Sequence, residues 1–443
     1  MPLTQTDQTD QTDQIDAIVH ARTNPNGPGV AIAVVRAGQV IHSRGYGMAQ
    51  IEWRQPIAPD TVFGIGSTSK PFTAMAILLL RAEGKLSLSD PITAYLPDYQ
   101  THGQIITIAH LLTHTSGIPN FVTLPGFWEG DTAHDHTHAE LRARFEQLPL
   151  QFAPGARYSY NNSAYCLLGM VIETLAGMPY GEFIQQRIFT PLGMARSHYF
   201  APHAVISQRA EGYAPVEGGP QGTYERALYM STTLQYAAGA LGSTVEDLAR
   251  WDLALRDGRL LDHATQAAMT TPTRLTDGHT VGYGMGWGLS TYRGKRVIHH
   301  AGGVPGYTAF YGRFPDDDLS IIVLSNWNLF DSGGLAAPIA NLLLDLPTPQ
   351  HSPTALEPGA LARMTGAYTK VLGEALNITP GDGVLHTSGE LNCDLIPRSA
   401  TTCVSASHPD TQVHFANEGS DGFERATVVT PFSWYEVTRT RSS

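Results

Sequence analysis

Residues 61–85 read TVFGIGSTSKPFTAMAILLLRAEGK, and this stretch decides the fold. After Pro71 the run FTAMAILLLRAEGKL carries apolar side chains round most of a helix circumference, the pattern of a helix buried inside a large domain. Ser67, Thr68, Ser69 and Lys70 stand at its entrance. Helix residues three apart share a face, so the Ser67 hydroxyl and the Lys70 amine can meet while Ser69 points elsewhere. A serine hydroxyl is a weak nucleophile until a neighbouring base takes its proton. Lysine can be that base only if desolvation or nearby cations lower its pKa. The apolar helix supplies the desolvation, and the free backbone N–H of Ser67 at the helix start can donate to an oxyanion. Taken alone the motif is weak, because serine three residues before lysine is common on solvated surface helices.

Outward from this helix, strand patterns lie on both sides. From Gly29, VAIAVVR and QVIHSRGYG flank Ala37-Gly38 as a hairpin. From Tyr283 the runs GMGWGLSTY, KRVIHHAGG, YTAFYGRF and LSIIVLSNW are separated by glycine, proline or aspartate and read as strands. Between them helical patterns prevail over about residues 106–275, including AYCLLGMVIETLAG, EFIQQRIF and VEDLARWDLAL after a capping box of Ser243 and Glu246. One antiparallel sheet flanked by helices is therefore expected from both ends of a domain at 16–345, with a helical insertion between. The TDQ repeat before it, in residues 1–15, has nothing apolar to bury before Ile15 and is expected as a mobile tail. A proline-bearing linker at 346–360 leads to residues 361–443, where ALNITP, VLHTSG, TQVHFA and RATVVT predict a small antiparallel β-domain.

Two more clusters carry chemistry. Tyr160-Asn161-Asn162 lies on a loop leading into an apolar helix, so its phenol and amide can face one cleft. By itself this is a loop tyrosine satisfying a local carbonyl. His300-Ala301-Gly302-Gly303 ends a predicted strand and would set a polar side chain and an exposed N–H along a cleft wall. By itself it is a strand closing on a turn.

The order S-x-x-K, Y-x-N, H-x-G, at a helix start, a loop and a strand end, resembles the serine β-lactamase and penicillin-binding superfamily. It is most similar to the branch of class C β-lactamases and D-Ala-D-Ala carboxypeptidases. Supporting stretches are ITIAHLLTHTSGIP, FAPGARYSYNNSAYCLLG, PLGM, AAGALGSTVEDLARW and HHAGGVPGYTAF, so the resemblance spans roughly residues 16–345. It implies an α/β sandwich with an all-α subdomain and the cleft between them, and a trailing β-domain like the small barrel-like module of several esterase and peptidase relatives. It also implies roles at matching positions. Ser67 would be acylated, and Lys70 and Tyr160 would share acid and base work. Asn162, His300 and Gly302 would bind substrate, and the N–H groups of Ser67 and Gly303 would form the oxyanion hole. His300 stands where β-lactamases usually carry the lysine of K-T-G. That exchanges a fixed cation for a group mostly neutral near neutral pH, and it argues against strong β-lactam hydrolysis.

Other features narrow the function. His134-Asp135-His136-Thr137-His138 alternates in a polar loop without apolar companions, which favours a solvated lid over a metal site. His110 and His114, four apart on a predicted helix, are expected to satisfy hydrogen bonds near the cleft. Cys166, Cys393 and Cys403 fit neither a zinc site nor a disulfide framework, although the last two could face each other on paired strands. The net charge of -12, with scattered signs, leaves no basic stripe for nucleic acid. No apolar run approaches the ~18 residues that span a bilayer. With no secretory signal read at the amino terminus, a cytoplasmic protein is expected. The leading expectation is a cofactor-free and metal-free serine hydrolase acting on a small ester, amide or peptide. The alternatives are a penicillin-binding protein or sensor that acylates with little turnover, and a metallohydrolase centred on the histidine run.

Overall fold

The computed structural model describes residues 5–440 apart from 129, 131, 202, 217, 221, 348, 350, 352–353, 355, 358, 370–375, 390, 392, 408 and 420–421. The chain divides into two compact units, Met1–Ile339 and Ala340–Ser443.

The first unit is built on a six-stranded sheet. Its strands are β1 (Val30–Arg36), β2 (Gln39–Tyr46), β3 (Gly288–Tyr292), β4 (Lys295–Val304), β5 (Tyr307–Phe314) and β6 (Leu319–Ser325). The order is β3-β4-β5-β6-β1-β2, every neighbouring pair antiparallel. Both ends of the unit thus feed one sheet, as the strand patterns predict. The first six residues of β1 are buried without alternation because the strand lies in the interior of the sheet with both faces covered. The β1–β2 hairpin turns at Ala37 and Gly38, both with positive φ (50° and 76°), the requirement of a two-residue turn matched to strand twist.

Helices fill the rest. They are α1 (Gln5–His20), α2 (Lys70–Ala82), α3 (Asn162–Ala176), α4 (Thr232–Gly239), α5 (Val245–Arg256) and α6 (Ser332–Leu343), with shorter turns between. Residues 70–80 of α2 are all buried, and the Phe72 ring lies 4.4 Å from Trp251 on α5. The middle section is mostly helical but not purely so, since Phe63–Gly64, Leu241–Ser243 and His198–Tyr199 form a small sheet of their own. Helix α5, counted above with the insertion, packs instead on the main sheet. Asp252 Oδ1 accepts hydrogen bonds from Tyr311 (2.7 Å), Arg313 Nε (2.9 Å) and Ser320 (2.7 Å) on β5 and β6. Asp252→Ala would strand the largely buried Arg313 charge and is expected to cost about 3 kcal/mol, read as a lower urea midpoint.

Two local expectations change. The mobile tail predicted for residues 1–15 is helical from Gln5, because Ile15 and Val19, one turn apart and buried, anchor α1 and extending an anchored helix costs little. The cap of α5 is Thr244, which accepts from Asp247 N–H at 3.0 Å. Ser243 belongs to the preceding strand and bonds Ser197.

The second unit is a closed eight-stranded antiparallel barrel. It comprises β7 (Gly366–Thr369), β8 (Leu376–Pro380), β9 (Leu385–Gly389), β10 (Asp394–Ser399), β11 (Thr402–Ser405), β12 (Gln412–Gly419), β13 (Gly422–Thr430) and β14 (Ser433–Arg439), with β7 closing on β14. Residues two apart, such as Leu376 and Ile378 or Val413 and Phe415, point into one core. Cys403 pairs across strands with Pro397 and Val413, not with Cys393, and all three cysteines are free. Among the described residues no helix is long and apolar enough to cross a membrane.

Candidate active site

The chain turns from Ile65 into a single 3-10 turn, Gly66–Ser69, before α2 begins. Gly66 has φ +50°, and a side chain there would come within 2.7 Å of Gly303 N. The turn therefore lies against the end of β4. Gly302 serves the same approach: a Cβ on it would meet Ile65 O at 2.0 Å. Gly303 is exposed, with open space where a side chain would stand. So Gly302 lets two backbones meet, and Gly303 is the glycine that faces outward.

Ser69 is buried and accepts a hydrogen bond from Leu241 N–H at 3.2 Å, which leaves Ser67 as the partly exposed hydroxyl of the motif. Lys70 is fully buried. Its Nζ lies 3.0 Å from Ser67 Oγ, 2.8 Å from Asn162 Oδ1 and 2.8 Å from Ala238 O. Burial pushes the Lys70 amine down to about 7. Its ammonium position also lies 4.8 Å from the centroid of the Tyr160 ring. Three segments separated by up to 168 residues thus meet at one nitrogen.

Tyr160 sits on the loop that enters α3. Asn161 caps that helix through a bond from Ala164 N–H (2.9 Å), and Asn120 clamps the loop by accepting Asn162 N–H (3.2 Å) and donating to Tyr160 O (3.4 Å). The Tyr160 hydroxyl is buried and completes no hydrogen bond of ordinary geometry, although Ser67 is close enough to draw its pKa downward. Burial outweighs that pull and raises the phenol above its usual range, so it stays protonated at neutral pH.

His300 is buried and held from both ring nitrogens. Nδ1 lies 2.6 Å from Ala301 O and Nε2 3.1 Å from Tyr283 Oη. His114 takes Asn161 N–H on Nδ1 (3.1 Å) and reaches Tyr283 Oη through Nε2 (3.2 Å). The end groups decide the proton positions, because a carbonyl can only accept and a backbone N–H can only donate. Hence His300 donates from Nδ1, Tyr283 donates to His300 Nε2, and His114 donates from Nε2 to Tyr283. Burial pushes His300 down to about 3, with the Lys70 charge adding to it, and pushes His114 well below its usual value. Both imidazoles are neutral.

The predicted residues Ser67, Lys70, Tyr160 and Asn162 converge, with His300 beside Tyr160 (6.1 Å between rings) and Gly303 beside the Ser67 turn. His110 and His114 do not share a helix face, since the helix Ile108–Leu112 ends first and His114 has φ 58°. The histidine run is not a strand of alternating ligands, and His136 and His138 line one cavity. Thr137 and Glu140 cap a helix starting at His138, His136 meets Arg144 at 2.6 Å, and among the described residues no group of three ligand-type side chains is placed to hold a metal. Sequence reasoning missed Tyr283, Asn120 and the Ala238 carbonyl. The first two sit outside any motif, and a carbonyl has no residue-type signal.

Residues 15–345 match the family model described as Beta-lactamase. Penicillin-binding protein 4* of Bacillus subtilis is 28% identical over 395 residues, covering 84% of this chain and 86% of that one. The octameric penicillin-binding protein homologue from Pyrococcus abyssi superposes with a TM-score of 0.68 at 26% identity, covering 98% and 100%. The D-amino acid amidase from Ochrobactrum anthropi SV3, solved with L-phenylalanine amide, gives 0.66 at 26% identity, covering 76% and 99%. The family match runs from the amino-terminal side of β1 to the end of α6 and takes in every residue of the cluster around Ser67, so this chain belongs to the beta-lactamase family.

Proposed function

We propose that the protein is a serine hydrolase that acylates Ser67 with a D-aminoacyl amide or an activated ester and releases the acyl group to water. The observation that carries this is the environment of Lys70 Nζ. Two of its three neighbours, Asn162 Oδ1 and Ala238 O, can only accept. A neutral amine has two hydrogens, and these two carbonyls take both. Its lone pair is left facing Ser67 Oγ at 3.0 Å, the arrangement of a base about to take the hydroxyl proton. As that proton moves to Lys70, Oγ bonds to the substrate carbonyl carbon. The N–H groups of Ser67 and Gly303 are the donors for the resulting oxyanion. Tyr160, protonated and unpaired, suits delivery of a proton to the departing amine or alkoxide, replacing it from Lys70. Water then reverses the sequence and frees the acid. The amide end of Asn162 is the group of that residue left to address the acyl chain.

His300 shapes specificity by what it lacks. Both of its nitrogens are used internally and it is neutral, so it offers no cation for a substrate carboxylate. This favours amides and esters without a carboxylate over cephalosporins, in keeping with the resemblance to a D-amino acid amidase. The test is one preparation assayed on D-phenylalanine amide, an aryl acetate and a cephalosporin. The amide or ester should exceed the cephalosporin by about a hundredfold in kcat/KM, and His300→Lys should narrow that gap. A cephalosporin turned over fastest refutes the reading. A stable covalent adduct without turnover would make the chain an acylating penicillin-binding protein instead.

A further inference from the structure

A cavity of about 470 Å³ lies in the first unit, and no residue of the cluster around Ser67 is among its described lining residues. Among its lining residues are the carboxylates Glu173 and Glu182 and the rings of Tyr180, Tyr199, Tyr236 and His138, and no lysine or arginine is among the described lining residues. The Tyr180 ring centroid is 5.4 Å from that of Tyr236 and 6.0 Å from that of Tyr199, so the three phenols form one aromatic wall. Tyr236 is 4% exposed, and its buried hydroxyl completes no hydrogen bond although the Glu173 carboxylate lies beside it. Glu173 already accepts Tyr180 N–H (2.8 Å) and lies 3.6 Å from His138 Nδ1, and carboxylates held in this way against aromatic faces are the chemistry that recognises an organic ammonium ion.

We propose that this cavity binds a small aromatic or aliphatic amine as its ammonium ion, and that the bound amine is felt at Lys70. The link is α4. Tyr236 interrupts that helix with φ 37° and ψ −131°, a conformation rare outside glycine. The next two carbonyls both hold α2: Ala237 O accepts from Thr73 Oγ1 (2.7 Å), and Ala238 O accepts from Lys70 Nζ (2.8 Å). Thr73 Oγ1 also meets Tyr180 Oη at 2.8 Å, so a second wall residue reaches the same helix. A ligand that draws the Tyr236 hydroxyl to itself shifts the backbone that positions the amine beside Ser67. The binding half stands by itself, and the coupling half rests on the role given to Lys70 above.

The experiment uses the full chain with benzylamine and its uncharged isostere benzyl alcohol. Calorimetry, on free protein and on protein whose Ser67 has been blocked by a fluorophosphonate, should show benzylamine binding that survives the block. Benzyl alcohol should bind at least about tenfold more weakly. Glu173→Gln and Glu182→Gln, which keep shape and remove charge, should each weaken benzylamine by about tenfold. Saturating benzylamine should change the rate of phosphonylation of the free protein at least about twofold, and in Glu182→Gln the midpoint of that change should move to about tenfold higher benzylamine concentration. No binding, equal binding of amine and alcohol, loss of binding on blocking Ser67, or indifference to both glutamine variants overturns the site. Binding with an unchanged labelling rate overturns the coupling. A protein that refuses the phosphonate yet binds benzylamine sinks the reading of Ser67 and upholds the cavity.

Discussion

Ser67→Ala is expected to lower turnover of an aryl ester by about three orders of magnitude or more while leaving the unfolding midpoint near that of the parent. The size follows from what the oxygen does. In the proposed mechanism Lys70, Tyr160 and the backbone donors serve a covalent bond that only Oγ can form, so none of them retains its value without it. The stability should hold because Ser67 is partly exposed in a short turn, and its hydroxyl makes one bond that Lys70 can forgo while keeping Asn162 and Ala238. Steady-state rates with matched circular dichroism check this. Near-parent turnover in the alanine variant would remove Ser67 from the mechanism.

Lys70→Ala should remove acylation to a similar extent, by about two to four orders of magnitude, the usual worth of a positioned base. Labelling with a fluorophosphonate reports this step alone. The parent enzyme adds a second check through pH. Burial holds the amine near 7 instead of its ordinary 10.5, and only the neutral form has a lone pair for the Ser67 proton. The rate therefore climbs about tenfold per pH unit below 7 and levels off above it. Tyr160 should add no falling limb through pH 9, because its phenol is raised above the usual 10. A profile flat from pH 5, or one still climbing at pH 9, would exclude Lys70 as the base. The same shift bears on stability. Between about 7 and 10.5 the native state has shed a proton that the unfolded chain still binds, so stability from this group rises with pH across that window. Below pH 7 the full cost of the buried charge is felt. Under the proposed reading, folding free energy is spent to keep the base unprotonated.

Much of this arrangement is local and could be read without coordinates. The apolar circumference of residues 72–80 predicts a buried helix, and residues 70–80 are buried throughout. YTAFYGRF predicts a strand, and Tyr307–Phe314 is one. These succeed because periodicity records which faces each element hides. The misses have physical causes as well. The run of residues 134–138 alternates like a strand, yet Thr137 and Glu140 close a capping box that starts a helix at His138. Strand Tyr283–Tyr292 begins only at Gly288, and that spares Tyr283 from the sheet and lets it stand between two histidines. The motif singles out His300 as a candidate, but not that both its nitrogens are engaged by Ala301 O and Tyr283 Oη.

What the residues determine by themselves is the chemistry available: a hydroxyl one turn from an amine on an apolar helix, a phenol, an amide and glycines able to approach a backbone. Which of these act together was decided by the tertiary structure. Only folding brings the Ala238 carbonyl and the Asn162 amide to the Lys70 nitrogen, removes water from it, and locks His300 neutral through Tyr283 and His114. The reason is that proton affinity and proton direction depend on acceptors, donors and solvent within a few ångströms. Those neighbours come from chain segments far apart, and one of them is a backbone carbonyl that every residue carries.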